Sequence, residues 1–138
     1  MSDLFKTREL NMIVEEIVKN LRTFLPAEDF GSSREFYRAL GFREAWSRDK
    51  LAMFELGQFA FFLQDFFVKE WAENTMMDLA VADVDAYYTY LQGLNLVERF
   101  PKQVRINAPA DDGTGIRRGY FVDPSGVLWH FSQPIKSK

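Results

Sequence analysis

The spacing of hydrophobic and polar positions changes period several times along this chain, and each change marks an element. Leu10, Ile13, Val14, Ile17, Val18 and Leu21 recur at helical spacing, while Glu15, Glu16, Lys19 and Asn20 fall elsewhere on the wheel. Residues 8–21 are therefore predicted to form an amphipathic helix. Its stripe must be buried on its own domain or on a partner subunit. Leu21 to Leu25 reads as a short strand stopped by Pro26. Asp29, followed by Ser32 and Ser33, opens a helix with Phe36, Tyr37 and Leu40 inside and Gly41 as its C-cap. The period then falls to two, which predicts strands over 42–46, 51–56 and 59–64. Residues 65–74 read as a connector.

The same order then returns. A strand over 76–82 precedes a helix opened by Asp83, with Tyr87, Tyr88 and Leu91 as its apolar positions and Gly93 at its end. Strands follow over 96–100, 118–122 and 127–132, with a breaker-rich loop over 107–115 and a turn at Asp123-Pro124-Ser125-Gly126. Phe36-Tyr37-Arg38-Ala39-Leu40 and Tyr87-Tyr88-Thr89-Tyr90-Leu91 match at an offset of 51 residues (87 − 36). Two such runs in tandem point to internal duplication. The expected class is α+β: two tandem βαβββ modules, about 21–65 and 75–134, forming an open curved sheet around a cleft. A helical extension over 1–20 precedes the single domain of 21–138. Each helix covers one face of its module, and modules side by side would curl their open faces into one cleft.

Composition narrows the chemistry. Aromatic residues make up 16% of the 138, with 14 Phe, enough to fill a core and also line a cleft. The chain has no cysteine, which excludes disulfides, thiolate nucleophiles and cysteine metal sites. With His130 as the single histidine, one chain cannot supply a zinc site of two or three His. A net charge of −3 argues against nucleic acid as a partner. No apolar run approaches the roughly 20 residues of a membrane span. The start, Met-Ser-Asp-Leu-Phe-Lys, lacks the apolar stretch of a signal peptide, so a cytoplasmic location is expected.

Strand alternation assigns faces. His130 falls opposite Trp129 and Phe131; Asp78 shares a face with Met76 and Ala80, Arg22 with Phe24, and Phe62 with Gln64. Trp46 ends a strand and could wall the site, and Arg117 adds positive charge beside the last strands. Each has a structural reading as well: His130 as a satisfied core histidine, Asp78 with Arg22 as an ion pair, Trp46 as core or dimer contact, and Arg117 and Arg118 as solvated edge charges. Together, Arg22, Phe24, Trp46, Phe62, Gln64, Asp78, Arg117 and His130 are the expected ligand-binding residues, because polar groups converging among aromatics mark small-molecule sites.

Two motifs carry a family resemblance. Leu25-Pro26-Ala27-Glu28-Asp29 with Ser33, Phe36, Tyr37, Leu40, Gly41 and Phe42, and the run from Tyr120 to Phe131 around Asp123-Pro124-Ser125-Gly126, resemble the opening and closing signatures of the glyoxalase/bleomycin-resistance/dioxygenase (vicinal oxygen chelate) superfamily. Arg105-Ile106-Asn107-Ala108-Pro109 and the His130-Phe131 pair are similar to the bleomycin-resistance branch. That resemblance implies a homodimer that sequesters its ligand without chemistry. It also implies, for metal-using members, two inward ligands per module, at positions that align with Arg22, Gln64, Met76 and His130. A guanidinium stays protonated and a thioether suits hard cations poorly, so no metal or other cofactor is expected. Two departures stand out. Thr114-Gly115-Ile116-Arg117-Arg118 occupies the region where a Trp-Gly pair is frequent, and a helix replaces the short swapped N-terminal arm.

The function expected is a metal-free small-molecule-binding protein that sequesters an aromatic or amphipathic ligand, antibiotics among the candidates. Arg22 and Asp78 together favour a polar or zwitterionic ligand. One alternative is a metal-dependent glyoxalase-like lyase or dioxygenase, with Gln64 and His130 at the metal or His130 as general base. Another is a protein-interaction domain that docks through the N-terminal helix.

Overall fold

The computed structural model describes residues 7, 13–100 and 102–135. The first module runs β1 (Phe24–Pro26), α1 (Phe30–Leu40), β2 (Arg43–Arg48), β3 (Leu51–Leu56) and β4 (Phe59–Gln64). A short α2 (Lys69–Glu73) connects it to β5 (Met76–Ala80), α3 (Val84–Gln92), α4 (Leu96–Arg99), β6 (Arg105–Asp111), β7 (Ile116–Val122) and β8 (Leu128–Pro134). The sheets are ordered β1-β4-β3-β2 and β5-β8-β7-β6. In each, the first strand pairs parallel with the last and the other pairings are antiparallel. The α+β class and the two tandem βαβββ modules stand as the sequence implied.

Local chemistry sets both long helices. Asp29 accepts a hydrogen bond from the Ser32 amide, and Asp83 accepts one from that of Ala86, so each helix begins on a capping carboxylate. Gly41 ends α1 at φ 112°, where a Cβ would also stand 2.9 Å from the Tyr90 hydroxyl. Ser33, Phe36, Tyr37 and Leu40 make one buried stripe. The two caps lie 54 residues apart (83 − 29), whereas the matched helix motifs lie 51 apart. The motif match is thus shifted by about one helical turn, which keeps the face but not the residue equivalence.

The core lies between the sheets. Ala52, Phe54, Phe61 and Leu63 of the first sheet and Phe121 and Trp129 of the second are buried in one cluster with α1, while Phe131 packs on Tyr87 of α3. The Phe61 and Trp129 rings are 5.6 Å apart and those of Tyr37 and Trp129 5.8 Å apart, so the helix-covered faces meet. A polar latch crosses the same junction. The Tyr37 hydroxyl donates to Asp123 Oδ2 at 2.6 Å and accepts from Trp129 Nε1 at 3.0 Å. The Ser125 hydroxyl accepts from the Glu28 amide at 2.9 Å, pinning the turn of the second module to the start of α1. Gly119 is required by close approach: a Cβ there would lie 2.3 Å from the Phe131 ring.

Three expectations need correction. Residues 96–100 are not a strand. Leu96 and Phe100 are buried four residues apart, a helical spacing, and α4 forms there. The missing strand is β6, whose last five residues fall in the stretch that reads as a breaker-rich loop. Pro109 is accommodated because β6 is an edge strand with a bulge between Asn107 and Ala110. The helix expected over 8–21 is seen only at 13–17, and residues 8–12 lie outside the described region. Ile13, Val14, Ile17 and Val18 are exposed and Leu21 is 97% exposed, so this stripe does not pack on its own domain.

Candidate functional site

Because the covered faces meet, the open faces point away from each other. Alternation sends Phe62 and Gln64 opposite to Phe61 and Leu63, and sends His130 opposite to Trp129. The expected meeting of Arg22, Gln64, Asp78 and His130 in one cavity of a single chain is therefore corrected. Arg22 and Gln64 belong to one open face, and Asp78 and His130 to the other.

On the first open face, strand register lines up Trp46, Met53, Phe62 and Phe24 across all four strands. Phe24 and Phe62 stack at 4.7 Å, and the Trp46 ring lies 6.0 Å from Phe62. Phe24 is 52% and Trp46 37% exposed. Trp46 reaches this face because of a bulge between Glu44 and Trp46. Plain alternation would put Trp46 beside Glu44, which turns to the helix side and pairs with Arg34 and Arg38; the extra residue re-aims the indole. Arg22 lies over Phe62 and Arg48 over Trp46, each 5.8 Å from guanidinium carbon to ring centroid. A shallow cavity of about 420 Å³ is lined by Phe24, Trp46, Arg48, Lys50, Leu51 and Gln64, together with Asp49. Arg48 and Met53 were missed from sequence. Arg48 sits two residues past Trp46 on the same strand, a signal that was available; Met53 needed the cross-strand register.

On the second open face, Asp78, His130, Tyr120 and Asn107 form the corresponding row. Asp78 accepts from the Ser132 hydroxyl at 2.8 Å and so makes no pair with Arg22. Nδ1 of His130 is buried without a hydrogen-bond partner. Arg117 joins neither face. It shares the helix side with Gly119 and Phe121, where it bonds Asp85 at 2.9 Å and Asp111 at 3.3 Å. That pairing, through the Arg117 hydrogen bonds, holds the Asp85 carboxyl below its ordinary range.

Register also corrects the metal positions. Phe24 stands five residues before its helix cap, as Asp78 does before the second cap. Phe24 pairs with Phe62, and Asp78 with His130. The residue equivalent to His130 is therefore Phe62, not Gln64. The four positions carry Arg22, Phe62, Met76 and His130, a set with one good ligand, which does not fit a catalytic metal. Among the described residues, no group of three His, Asp or Glu side chains is placed to hold a metal ion.

Paired βαβββ modules with a parallel first-to-last strand contact are found in known structures. A bleomycin-binding protein solved with bleomycin superposes with a TM-score of 0.71 at 23% identity, over 84% of this chain and 98% of that one. The chain has the glyoxalase/bleomycin-resistance/dioxygenase fold. A glyoxalase/bleomycin resistance protein/dioxygenase from Nocardioides shares this fold at a TM-score of 0.69 and 18% identity, over 96% of this chain and 95% of that one. An antibiotic-binding protein from a Streptomyces species shares it at 0.65 and 20%, over 86% and 98%. No family model and no curated protein matches the sequence. The fold hosts several activities, so function has to be argued from the two open faces. No helix among the described residues is long and apolar enough to cross a membrane.

Proposed function

We propose that this chain is a cytoplasmic homodimer that sequesters an aromatic or amphipathic small molecule without chemical conversion, in clefts made where the first open face of one copy meets the second open face of its partner. The observation that carries this reading is the row of Trp46, Met53, Phe62 and Phe24 on the open face, with Phe24 and Trp46 exposed and Met53 and Phe62 half-buried. Aromatic side chains left in water on a sheet face gain free energy by stacking on a planar partner. Flanking polar groups, here Arg22 and Gln64, would orient what stacks there. A half-open face alone exposes most of a bound ligand to water, whereas small-molecule sites bury most of their ligand's surface, so each face calls for a second wall. Asp78, His130 and Tyr120 of a second copy would supply it. Bleomycin and other antibiotics, bound by proteins of this fold, are members of the ligand class rather than the assigned ligand.

A thermal-shift screen of planar aromatic compounds tests the reading, because a ligand of the folded state raises its stability by linkage. Hits are expected to bind Trp46→Ala about 10- to 100-fold more weakly, as for truncated aromatic anchors. The variant should keep its fold, since Trp46 is 37% exposed. Unchanged affinity in a folded Trp46→Ala protein would rule the site out.

A further inference from the structure

We infer that the first open face selects an aromatic anion: a planar ring carrying a carboxylate, sulfonate or similar group. The inference rests on the cleft reading above and adds the charge of the ligand.

Arginines in this chain are mostly neutralised by carboxylates. Arg34 and Arg38 share Glu44, Arg43 bonds Glu55, Arg117 bonds Asp85 and Asp111, and Arg118 pairs with Asp112. Arg22 and Arg48, like Arg99 and Arg105, do not follow this pattern, and they are the two that stand on the first open face. Neither makes an ion pair among the described residues. Instead, Arg48 sits over Trp46 at one end of the aromatic row and Arg22 over Phe62 inside it. Nε of Arg22 is buried without an acceptor. A buried donor left unpaired costs free energy until something accepts from it. Lys50 adds a third cation at the Arg48 end of the cavity. The carboxylates nearby are Asp49, in the exposed turn between β2 and β3, and Asp65, just past β4. Neither is bonded to Arg22 or Arg48. Three cations thus stand against two carboxylates, in a chain whose net charge is −3.

The geometry combines two recognition modes. A ring stacked on this aromatic row would lie beside both guanidinia, and an anionic substituent at its edge could accept charge-assisted hydrogen bonds from either. A cationic ring would meet two unneutralised guanidinia in a partly desolvated setting and be repelled. On a second copy's wall Arg118 pairs with Asp112 and Asp78 bonds only the neutral Ser132 hydroxyl, so Asp78 would favour a cation and the preference for an anion rests on Arg22 and Arg48 of the first face.

Three probes with one ring and different charge make the test: 2-naphthoate, 2-naphthol and 2-naphthylmethylammonium, titrated calorimetrically at low ionic strength. The wild-type protein is expected to prefer the anion over the cation by on the order of tenfold or more, with the neutral probe between them. Added salt should shrink the difference. Arg22→Gln/Arg48→Gln should lose the preference for the anion, its affinity for 2-naphthoate falling to that for 2-naphthol. Trp46→Ala, checked by its melting curve, should weaken all three. Equal binding of the three probes, or tightest binding of the cation, together with loss in Trp46→Ala, overturns the charge inference and leaves the cleft standing. Absence of binding by all three, or binding indifferent to Trp46→Ala, overturns both.

Discussion

Asp123 is the residue on which the two modules lean. It is wholly buried, and its carboxylate accepts from the Tyr37 hydroxyl and from the Ser125 and Val127 amides. Burial raises its pKa from 3.8 to about 6, against the hydrogen bonds from Tyr37, Val127 and Ser125, which pull it down. Burial likewise raises the Tyr37 hydroxyl, with the Asp123 charge adding to it. A carboxyl raised on folding stabilises the fold fully below pH 3.8, and that contribution is lost as pH rises through about 6. The shift is worth about 3 kcal/mol at 1.36 kcal/mol per unit. Asp85 and Asp112 are lowered instead and work in the opposite sense, but both are exposed and screened. Urea unfolding at pH 4.5 and pH 7 should therefore show a pH-dependent component in the wild type that is missing from Asp123→Asn. The same change in stability with pH in both proteins would count against this account. Asp123 was legible in the sequence only as a turn residue; that the turn docks on Tyr37 of the other module is a long-range contact.

The elements show which local signals suffice. Asp29 and Asp83 carry the sequence signal of helix openers, and both cap through their side chains. Asp29→Ala should destabilise the protein by about 1 kcal/mol, with Asp29→Ser close to wild type, measured as shifts in the denaturation midpoint. If Asp29→Ser loses as much as Asp29→Ala, the carboxylate acts through something other than capping. The β3 and β4 bounds, 51–56 and 59–64, also follow from the period-two pattern around Gly57. Where apolar spacing was ambiguous, the sequence misled. Leu96 and Phe100 fit either a five-residue strand or one helical turn, and their joint burial, with Phe100 against Phe36 of α1, decided for the turn. Ala108-Pro109 carries loop residues that an edge strand tolerates, and edge position cannot be read from a strand's own residues.

At the scale of the molecule, two open faces pointing apart and an N-terminal stripe that stays exposed among the described residues both call for a second copy. Light scattering at micromolar concentration should return twice the 16.1 kDa chain mass. A mixing experiment tests the shared cleft directly. Phe62→Ala damages one wall and His130→Ala the other, so each variant alone should bind weakly. After subunit exchange, each heterodimer holds one intact cleft, and about a quarter of the sites in an equimolar mixture should recover. A monomer in solution, or a mixture that binds no better than its parts, would remove the shared cleft.

The sequence by itself determined the modular repeat, the helix caps, and the inner and outer faces of β1, β4, β5 and β8. All of these depend on residue type and near-neighbour spacing, which a chain carries in its own order. Tertiary structure alone decided that Trp46 faces outward, because one bulge reverses the parity of β2. Only the packed molecule showed that Arg117 is held by Asp85 on the helix side, since their carboxylate–guanidinium contact spans 32 residues. It also decided that the open faces lie back to back rather than around one cavity. That choice turns on which of two aromatic surfaces buries more against α1. The Phe61 and Trp129 faces meet around Tyr37, and the Phe62 and His130 faces are left to water.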